Sequence, residues 1–583
     1  MASFRAGPAA QFLAAGAMAG LVAASFGCAA APPGPPPGAP RGIVLVSIDT
    51  LRADHLGCYG YRRPTSPFLD QMARRGVLFE NAVSSAPWTL PSHASLLTGL
   101  YPSAHRAIEG HQAVAPGVRL AAEWLRQAGY ATGGVVASWF VSRRYGFDRG
   151  FDHFEDFGQS AATNTRQKIA ARQVVDDAAA WLRTVDGQPF FLFLHFYDPH
   201  FNYDPPDGHA LFDTGYQGPR PRYRKYAYYL EHPLPPALLA DEVARYDGEI
   251  HYVDAQLRRL YGILEKTGRA ADTLLLVTAD HGEEFFEHGS WGHAHTLHQE
   301  LMRVPLLVAG PGVAGGRRIP FQVRQVDLLP TLLEAVGAAR PAGLHGRSFL
   351  SWLRDPAAPP GEGRPALMET SRFDTNLLGL RRGGWTFIED LARGQERLFD
   401  READPGEAHD LSRAEPERLA GLRDAARAAA VAVLPDRWFL RWESAGASPL
   451  EGKVETSGRF LLVRTRGENS RAALAGQGRV VEYHLEAGGE LELALMPVDA
   501  EVRVVAPAPG GRPVRLAVGA AGRLASGPEL RASARDAARL LGRPAAAPPA
   551  LAVWLEQQGG GGRSVTLTED EIRRLESLGY VMR

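Results

Sequence analysis

The chain has 583 residues, which is too long for one compact core, so we expect at least two domains. Its 45% hydrophobic and 22% charged content is that of an ordinary soluble globular protein, and a net charge of −1 gives no reason to expect nucleic acid as a partner. Only two cysteines are present, Cys28 and Cys58, which argues against a disulfide framework.

The N-terminal 28 residues are typical of an export leader. Residues 11–31 form an Ala-rich apolar run that is weak for a membrane-spanning helix, so we expect an exported protein. The surroundings of Cys28 are similar to a bacterial lipoprotein processing site, although the residues before it depart from that pattern. Lipid attachment at Cys28, simple cleavage and a retained anchor stay open, and a periplasmic or lipoprotein location is predicted. Residues 29–41 are rich in Pro and Gly and are interpreted as a stiff tether.

From Gly42 onward, apolar runs alternate with helical patterns. Residues 43–48 are apolar on both faces, as expected for a buried parallel strand, and four later runs share this pattern. Polar residues just past the carboxyl ends of such strands point at the ligand crevice. That rule selects Asp49, residues 195–200 and the pair Asp280-His281. The other predicted strands are 134–137, 190–196, 273–278 and 304–309, and the predicted helices are 67–76, 120–129, 170–183 and 241–268.

From about residue 370 the pattern changes to short strands and turns, which indicates a small antiparallel subdomain with a helix near 415–433. Alternating polar and apolar residues then predict a separate β-rich module at 441–558, followed at 559–583 by a glycine linker and a C-terminal helix. The predicted fold class is therefore α/β. A mixed, mainly parallel sheet is sandwiched by helices in a catalytic domain at 42–436, with the antiparallel subdomain at its end.

Three segments carry chemistry, and each is ambiguous alone. Asp49 after a strand is usually a turn former or a helix cap. The run Asp280-His281-Gly282 could supply an oxygen and a nitrogen to one cation, or could be a cap followed by a turn. Residues 89–99 predict a loop that enters a helix, with Ser92 interpreted as the helix cap.

Together these segments resemble the sulfatase family of the alkaline phosphatase superfamily. The sulfatase signature runs Cys or Ser, any residue, Pro, Ser, Arg, two residues, then Leu-Leu-Thr-Gly. Residues 89–99 read TLPSHASLLTG and differ at the first and fifth positions. The resemblance extends over about 42–436 and implies an alkaline-phosphatase or sulfatase type of fold and an ester hydrolase. The matching segments are 49–57, 89–99, 280–283, 326–333 and 398–407.

The resemblance implies a divalent cation held by Asp49, Asp280 and His281, with the Thr89 oxygen as fourth ligand and as nucleophile. Coordination to a cation would lower the pKa of a threonine hydroxyl, which is otherwise a weak nucleophile. The start of the helix after Thr89 would direct N–H groups at the anionic ester, and His93 in its first turn is a candidate anion donor.

Two histidines are candidates for protonating the leaving group. His200 resembles a family position that donates to the ester oxygen, and His293 lies where relatives place a Lys or His. Either could instead be structural. His195, His295 and His298 are interpreted as core or rim residues.

Departures from the family pattern narrow the chemistry. Thr89 cannot become the formylglycine of sulfatases, so water must clear the intermediate at sulfur or phosphorus, which favours phosphate or phosphonate esters. Thr50 stands where the family has a second carboxylate, and His281 stands where it usually has Asn. With fewer carboxylates and one imidazole, the metal site is expected to prefer manganese or zinc over calcium. One divalent ion (Mn, Zn or Ca) is predicted. Residues 247–251 have the spacing of a second metal motif, but their apolar helical stripe favours packing.

The predicted function is hydrolysis of a small-molecule or glycan ester of sulfate, phosphate or phosphonate through a covalent intermediate on Thr89. Two alternatives remain open. One is a transferase in which an envelope alcohol or glycan accepts the group. The other is a catalytically silent homologue that binds a glycan. The natural substrate cannot be read from the loop at 201–236, which is rich in Tyr and Pro.

Overall fold

The computed structural model describes residues 34–157, 171–220, 226–359, 363–373, 375–443, 449–496, 501–505, 515–518, 523–524, 529–532, 550–557 and 563–565. The predicted leader with Cys28, the glycine linker and the C-terminal helix lie outside these residues. No helix among these residues has the length and apolar character needed to cross a bilayer.

Short strands outnumber helices among the described residues. The helices are α1 (Pro67–Arg75), α2 (Thr89–Thr98), α3 (Pro102–His105), α4 (Ala121–Gln127), α5 (Ala171–Thr184), α6 (Tyr226–Glu231), α7 (Pro236–Lys266), α8 (Gln299–Met302), α9 (Leu328–Ala335), α10 (Leu350–Arg354) and α11 (Pro416–Val433). The strands are β1 (Gly42–Ile48), β2 (Val77–Val83), β3 (Gln112–Ala113), β4 (Ala131–Val136), β5 (His153–Asp156), β6 (Phe190–Phe196), β7 (Thr273–Ala279), β8 (Glu284–Phe285), β9 (Trp291–Gly292), β10 (Arg303–Ala309), β11 (Arg317–Arg324), β12 (Ala366–Thr370), β13 (Leu377–Arg382), β14 (Trp385–Asp390), β15 (Gln395–Asp400), β16 (Asp436–Glu443), β17 (Leu450–Thr456), β18 (Arg459–Arg466), β19 (Arg471–Ala475), β20 (Val480–Leu485), β21 (Glu490–Met496), β22 (Val502–Val505), β23 (Arg515–Val518), β24 (Arg523–Leu524), β25 (Glu529–Ala532), β26 (Ala550–Gln557) and β27 (Arg563–Ser564).

An eight-stranded sheet in the order β11-β2-β10-β7-β1-β6-β4-β5 forms the centre of the first domain. All seven residues of β1, β6 and β7 are buried; helices α1 and α5 lie against the sheet, and α7 packs on both helices. Such near-continuous apolar runs are typical of strands that are buried on both faces. The predicted mixed, mainly parallel sheet is confirmed.

One predicted strand runs in the other direction. Residues 304–309 were expected to form a parallel strand like the other apolar runs, but β10 pairs antiparallel with both β2 and β7. An apolar run indicates burial on both faces and not direction. No long covering helix lies between β7 and β10, so the chain passes over one end of the sheet and returns beside β7, which an antiparallel pair allows. Strands β2, β5 and β11 of this sheet were not predicted.

The second half of the chain is mainly antiparallel. Strands β12 to β15 form a four-stranded meander on which α11 packs, as predicted for the small subdomain. Beyond it lie a six-stranded sheet, β18-β21-β16-β26-β23-β24, and a five-stranded sheet, β19-β20-β17-β22-β25. Apolar residues of both sheets form one core, which includes Trp438, Leu440, Val454 and Tyr483. The β-rich module is therefore present, while its predicted sequence bounds stay predictions.

Charged contacts and a short strand join the β-rich module to the first domain. Arg106 donates two hydrogen bonds to the Asp436 carboxylate, and Arg459 contacts the fully buried Glu389. At the far end of the module, β27 pairs with β3, and the Val565 N–H donates to the His111 carbonyl.

Candidate active site

The two candidate carboxylates lie side by side because their strands are neighbours. Strands β1 and β7 are parallel, and their register aligns Ile48 with Ala279. Asp49 and Asp280 are the next residues along each strand, at the carboxyl edge where open α/β sheets bind ligands. One ligand atom each from Asp49, Asp280 and His281 lie within 4.8 Å of one another, and all three residues are buried.

Helix α2 brings Thr89 to the same edge. Its first turn is attached to Asp280, because the Ser92 hydroxyl donates to the Asp280 carbonyl over 2.7 Å. His93 Nδ1 lies 2.8 Å from the Thr89 carbonyl and 3.5 Å from Asp280 Oδ2. Ser92 is thus inside the helix, and its predicted role as a cap is wrong, because its hydroxyl bonds to a neighbouring loop. The Thr89 hydroxyl is buried without a hydrogen-bond partner among the described residues.

The main chain orients the Asp280 and His281 side chains. Asp280 Oδ1 accepts hydrogen bonds from the N–H groups of Thr50, at 3.2 Å, and of His281, at 2.9 Å. Asp280 Oδ2 lies 3.2 Å from His281 Nε2. His281 Nδ1 bonds to the Gly282 carbonyl at 2.8 Å, so Nε2 is the nitrogen that faces the carboxylates, and it lies 3.7 Å from Asp49 Oδ1.

The electrostatics of these groups suit a cation. Burial, and then the neighbouring charge of Asp49, raise the pKa of Asp280 well above its ordinary value. Burial, and then His293, hold the pKa of His281 well below its ordinary value, so this imidazole is neutral. Asp280 Oδ2 and His281 Nε2 are buried and make no hydrogen bond among the described residues. Oxygen and nitrogen donors arranged in this way fit a divalent metal ion.

The two candidate proton donors lie next to His281. The His293 ring is centred 4.6 Å from that of His281 and 5.1 Å from that of His200. Glu283 accepts a hydrogen bond from His293 Nδ1 at 2.8 Å, and His200 Nδ1 bonds to the Phe201 carbonyl at 2.7 Å. In both rings Nδ1 is therefore the nitrogen that bonds to these protein groups, and Nε2 lies on the opposite side of the ring. The structure brings together all the residues that the sequence singled out for catalysis and metal binding.

Several residues near the site were missed or assigned differently from the sequence. His195, interpreted as core or rim, has Nε2 only 3.4 Å from Asp49 Oδ2, and burial lowers the pKa of this ring to about 3. Glu283, which positions His293, was not singled out, although it follows the Asp280-His281 pair. His295 and His298 instead pair with other carboxylates, away from Asp49 and Asp280. The sequence could have indicated His195, because it lies in one of the segments selected by the rule that polar residues at the carboxyl ends of parallel strands face the ligand.

The alternative second metal motif at 247–251 does not form a site. The Asp247 carboxylate is engaged by His55 Nδ1 and by Arg63, each at 2.7 Å. His251 Nδ1 lies instead 2.9 Å from His209 Nδ1. In the part of the chain that the structure describes, Asp49, Asp280 and His281 are the one group of three such ligands.

Comparisons with known proteins agree with this fold. The multifunctional alkaline phosphatase superfamily protein PehA of Trinickia caryophylli is 25% identical over 497 residues, which cover 67% of this chain and 94% of PehA. A structure solved with its substrate D-glucosamine-2-N,6-O-disulfate has a TM-score of 0.60 at 20% identity and covers 68% of this chain and 98% of its own. The phosphonate monoester hydrolase of Agrobacterium radiobacter has a TM-score of 0.58 at 19% identity, with coverage of 68% and 96%.

The shared architecture is an α/β fold of the alkaline-phosphatase or sulfatase type, as the predicted fold class stated. The family model described as Sulfatase matches residues 41–338, more than half of the chain, so the chain belongs to the sulfatase family. It is accordingly an enzyme of the sulfatase-like ester hydrolase class.

Proposed function

We propose that the protein is a metal-dependent hydrolase of sulfate, phosphate or phosphonate esters that reacts through a covalent intermediate on Thr89. The observation that carries this proposal is the placement of the Thr89 hydroxyl. Among the described residues it has no hydrogen-bond partner, and it is buried at the start of α2, whose first turn is attached to Asp280 through Ser92 and places His93 Nδ1 3.5 Å from Asp280 Oδ2. A buried hydroxyl costs free energy unless it is bonded, so a ligand is expected there.

Asp49, Asp280, His281 and Thr89 would hold one divalent ion, with Mn, Zn and Ca as the candidates. When bound, the ion would lower the pKa of the Thr89 hydroxyl and neutralise charge on the non-bridging ester oxygens. The helix macrodipole of α2 adds partial positive charge at its first turn, where the anionic ester would bind. His93 is proposed to donate to that ester.

In the first half-reaction the Thr89 oxygen attacks sulfur or phosphorus, and the bond to the leaving alcohol breaks. A poor leaving group needs a proton, which His200 or His293 would supply from Nε2. His200 Nδ1 bonds to a main-chain carbonyl and His293 Nδ1 bonds to a carboxylate. In each ring Nε2 therefore points away from that partner.

In the second half-reaction water attacks the same sulfur or phosphorus atom and releases Thr89. A threonine ester cannot be expelled by a second hydroxyl on the same carbon, as the hydrate of formylglycine can. Attack of water at phosphorus does not need that second hydroxyl. Phosphate and phosphonate monoesters are therefore proposed as substrates ahead of sulfate esters. The similarity to a phosphonate monoester hydrolase supports this order. A small-molecule or glycan ester is the proposed substrate, since a similar structure binds a sulfated sugar.

The proposed location is the periplasm or the outer side of a membrane, with Cys28 as a candidate lipid anchor. The leader-like composition of residues 1–28 supports it. Mass spectrometry of the mature N-terminus would distinguish lipidated Cys28, simple cleavage and a retained leader.

Thr89→Ala is the central test. We expect it to lose turnover of aryl phosphates, phosphonates and sulfates by roughly 10³-fold or more, because the nucleophile is removed. Thr89→Ser should retain a measurable rate, and Thr98→Ala, at the other end of α2, should stay close to wild type. Mass spectrometry of the intact wild-type protein, quenched during turnover, should show one added phosphoryl or sulfuryl group, absent from Thr89→Ala.

The acceptor and the metal need separate measurements. A hydrolase releases inorganic phosphate or sulfate even when alcohols are added, whereas a transferase gives a new ester. Elemental analysis before and after chelation, followed by addition of Mn, Zn or Ca, would identify the ion. Undiminished turnover by Thr89→Ala, or by a metal-free protein, would overturn the corresponding part of the proposal.

A further inference from the structure

Each of the two buried carboxylates of the site has one oxygen that faces another protein group, through hydrogen bonds in Asp280 and through a 3.4 Å approach without a hydrogen bond in Asp49. Asp280 Oδ1 accepts two main-chain N–H groups, whereas Oδ2 faces His281 Nε2 at 3.2 Å. Asp49 is similar, with Oδ2 at 3.4 Å from His195 Nε2 and Oδ1 at 3.7 Å from His281 Nε2. Each carboxylate therefore presents a single oxygen, Asp280 Oδ2 or Asp49 Oδ1, to the side where His281 lies.

The position of His195 follows from the sheet register. In β6 it pairs with Ser47 of β1 on one side and with Val136 of β4 on the other. These pairings place His195 between the strand that ends at Asp49 and the strand that ends before Ala137. The residue is fully buried, so its ring has little freedom to move.

The hydrogen bonds of the His195 ring identify which nitrogen carries the proton. The Ala137 N–H donates to Nδ1 over 3.4 Å, so Nδ1 is an acceptor. In a neutral imidazole the proton is then on Nε2, the nitrogen that points at Asp49 Oδ2. This N–H lies 3.4 Å from Asp49 Oδ2 and would donate to it when Asp49 binds a metal, which would fix the oxygen that is presented, as outer partners do in many metal sites.

We propose that His195 is a positioning residue which holds Asp49 for coordination through Oδ1 alone, and that this favours manganese or zinc over calcium. This rests on the metal dependence in the proposed function. Calcium takes 6–8 oxygen ligands and commonly binds carboxylates through both oxygens. The site would offer one oxygen from each of two carboxylates, one imidazole nitrogen and one hydroxyl oxygen. This set suits an ion that is smaller than calcium, binds fewer ligands and accepts nitrogen.

Metal affinities of the full-length chain test this proposal. The measurements are competition against a fluorescent chelator and the metal-dependent shift of the melting temperature, neither of which needs activity. We expect His195→Phe to lose about 10–100-fold in Mn and Zn affinity, since loss of such outer partners typically has this effect. Calcium affinity should fall less or rise, because Asp49 becomes able to bind through both oxygens.

Two further variants separate positioning from packing. His195→Gln can place an amide N–H near the Nε2 position and should restore most of the Mn affinity. His105→Gln replaces another fully buried histidine, which contacts Ser95 and Pro91 and neither carboxylate, and it should leave the affinities unchanged. If His195→Phe does not fold, His195→Asn replaces it, because that amide reaches the Ala137 N–H but is too short to reach Asp49.

The outcomes that overturn the proposal are distinct from failure of the proposed function. A variant that lacks the Nε2 contact but binds Mn as tightly as wild type would show that His195 only packs. Equal losses of Mn and Ca affinity would remove the selectivity claim. A wild-type protein that binds no divalent ion would instead contradict the metal dependence itself.

Discussion

Removal of one phenol oxygen, in Tyr246→Phe, should loosen the turn that carries Asp49. The fully buried Tyr246 hydroxyl donates to the Thr50 carbonyl at 2.7 Å and accepts from the Arg52 N–H at 2.9 Å. Thr50 has a φ of 56°, which is unfavourable for a β-branched residue and needs such contacts to persist. The substitution leaves two buried main-chain groups without their partner. Each costs about 1–3 kcal/mol, so we expect unfolding to become easier by about 2–6 kcal/mol.

Tyr59→Phe is a matched control for this prediction. The Tyr59 hydroxyl also bridges two main-chain groups, since it donates to the Phe79 carbonyl at 2.8 Å and accepts from the Leu306 N–H at 3.0 Å. Urea denaturation should show losses of similar size for both variants. Metal affinity and turnover should fall only in Tyr246→Phe, because only that hydroxyl contacts the residue next to Asp49. Equal behaviour of the two variants in metal binding would refute the reasoning.

Three shorter predictions concern other buried carboxyl groups. Glu283→Gln should slow esters with poor leaving groups by at least ~10-fold and aryl esters less, because His293 loses its carboxylate partner; a uniform loss across leaving groups would contradict this role. Burial raises the pKa of Glu369 from 4.5 to about 7, so its contribution to stability is present below about pH 4.5 and is lost as the pH rises through about 7. Glu369→Gln should therefore gain up to about 3 kcal/mol over wild type between pH 5 and 8 in denaturant titrations, and a pH-independent difference would oppose it. Glu389→Ala should destabilise the contact between the first domain and the β-rich module by about 3 kcal/mol in thermal or chemical unfolding, because it leaves Arg459 buried without its carboxylate.

The sequence predicted the parts of the fold that depend on local pattern. Buried parallel strands have continuous apolar runs, so β1, β6 and β7 were found with nearly their observed bounds. The proximity of Asp49 and Asp280 was also foreseeable, since parallel strands end at one edge of a sheet. The resemblance to a family motif was needed to add Thr89, because nothing in residues 89–99 alone indicates which strand ends α2 approaches.

The remaining features depend on contacts between distant segments. The direction of β10 follows from the path of the chain between β7 and β10, and an apolar run carries no information about direction. Ser92 could satisfy its hydroxyl by capping or by a tertiary contact, and only the approach of the Asp280 loop decides this. His195 lies in a buried strand like any core residue, and its proximity to Asp49 becomes visible only with the register of β1 and β6.

The pairing of β27 with β3 makes completion of the first domain dependent on a segment that lies hundreds of residues further along the chain. Gln112–Ala113 emerge from the ribosome hundreds of residues before Arg563–Ser564, which close their sheet edge. A nascent or truncated chain that stops inside the β-rich module therefore leaves that edge open, and an open strand edge is a place where two chains can join. Proteolytic trimming of the β-rich module would then expose a new surface of the enzyme as well as remove an appendage.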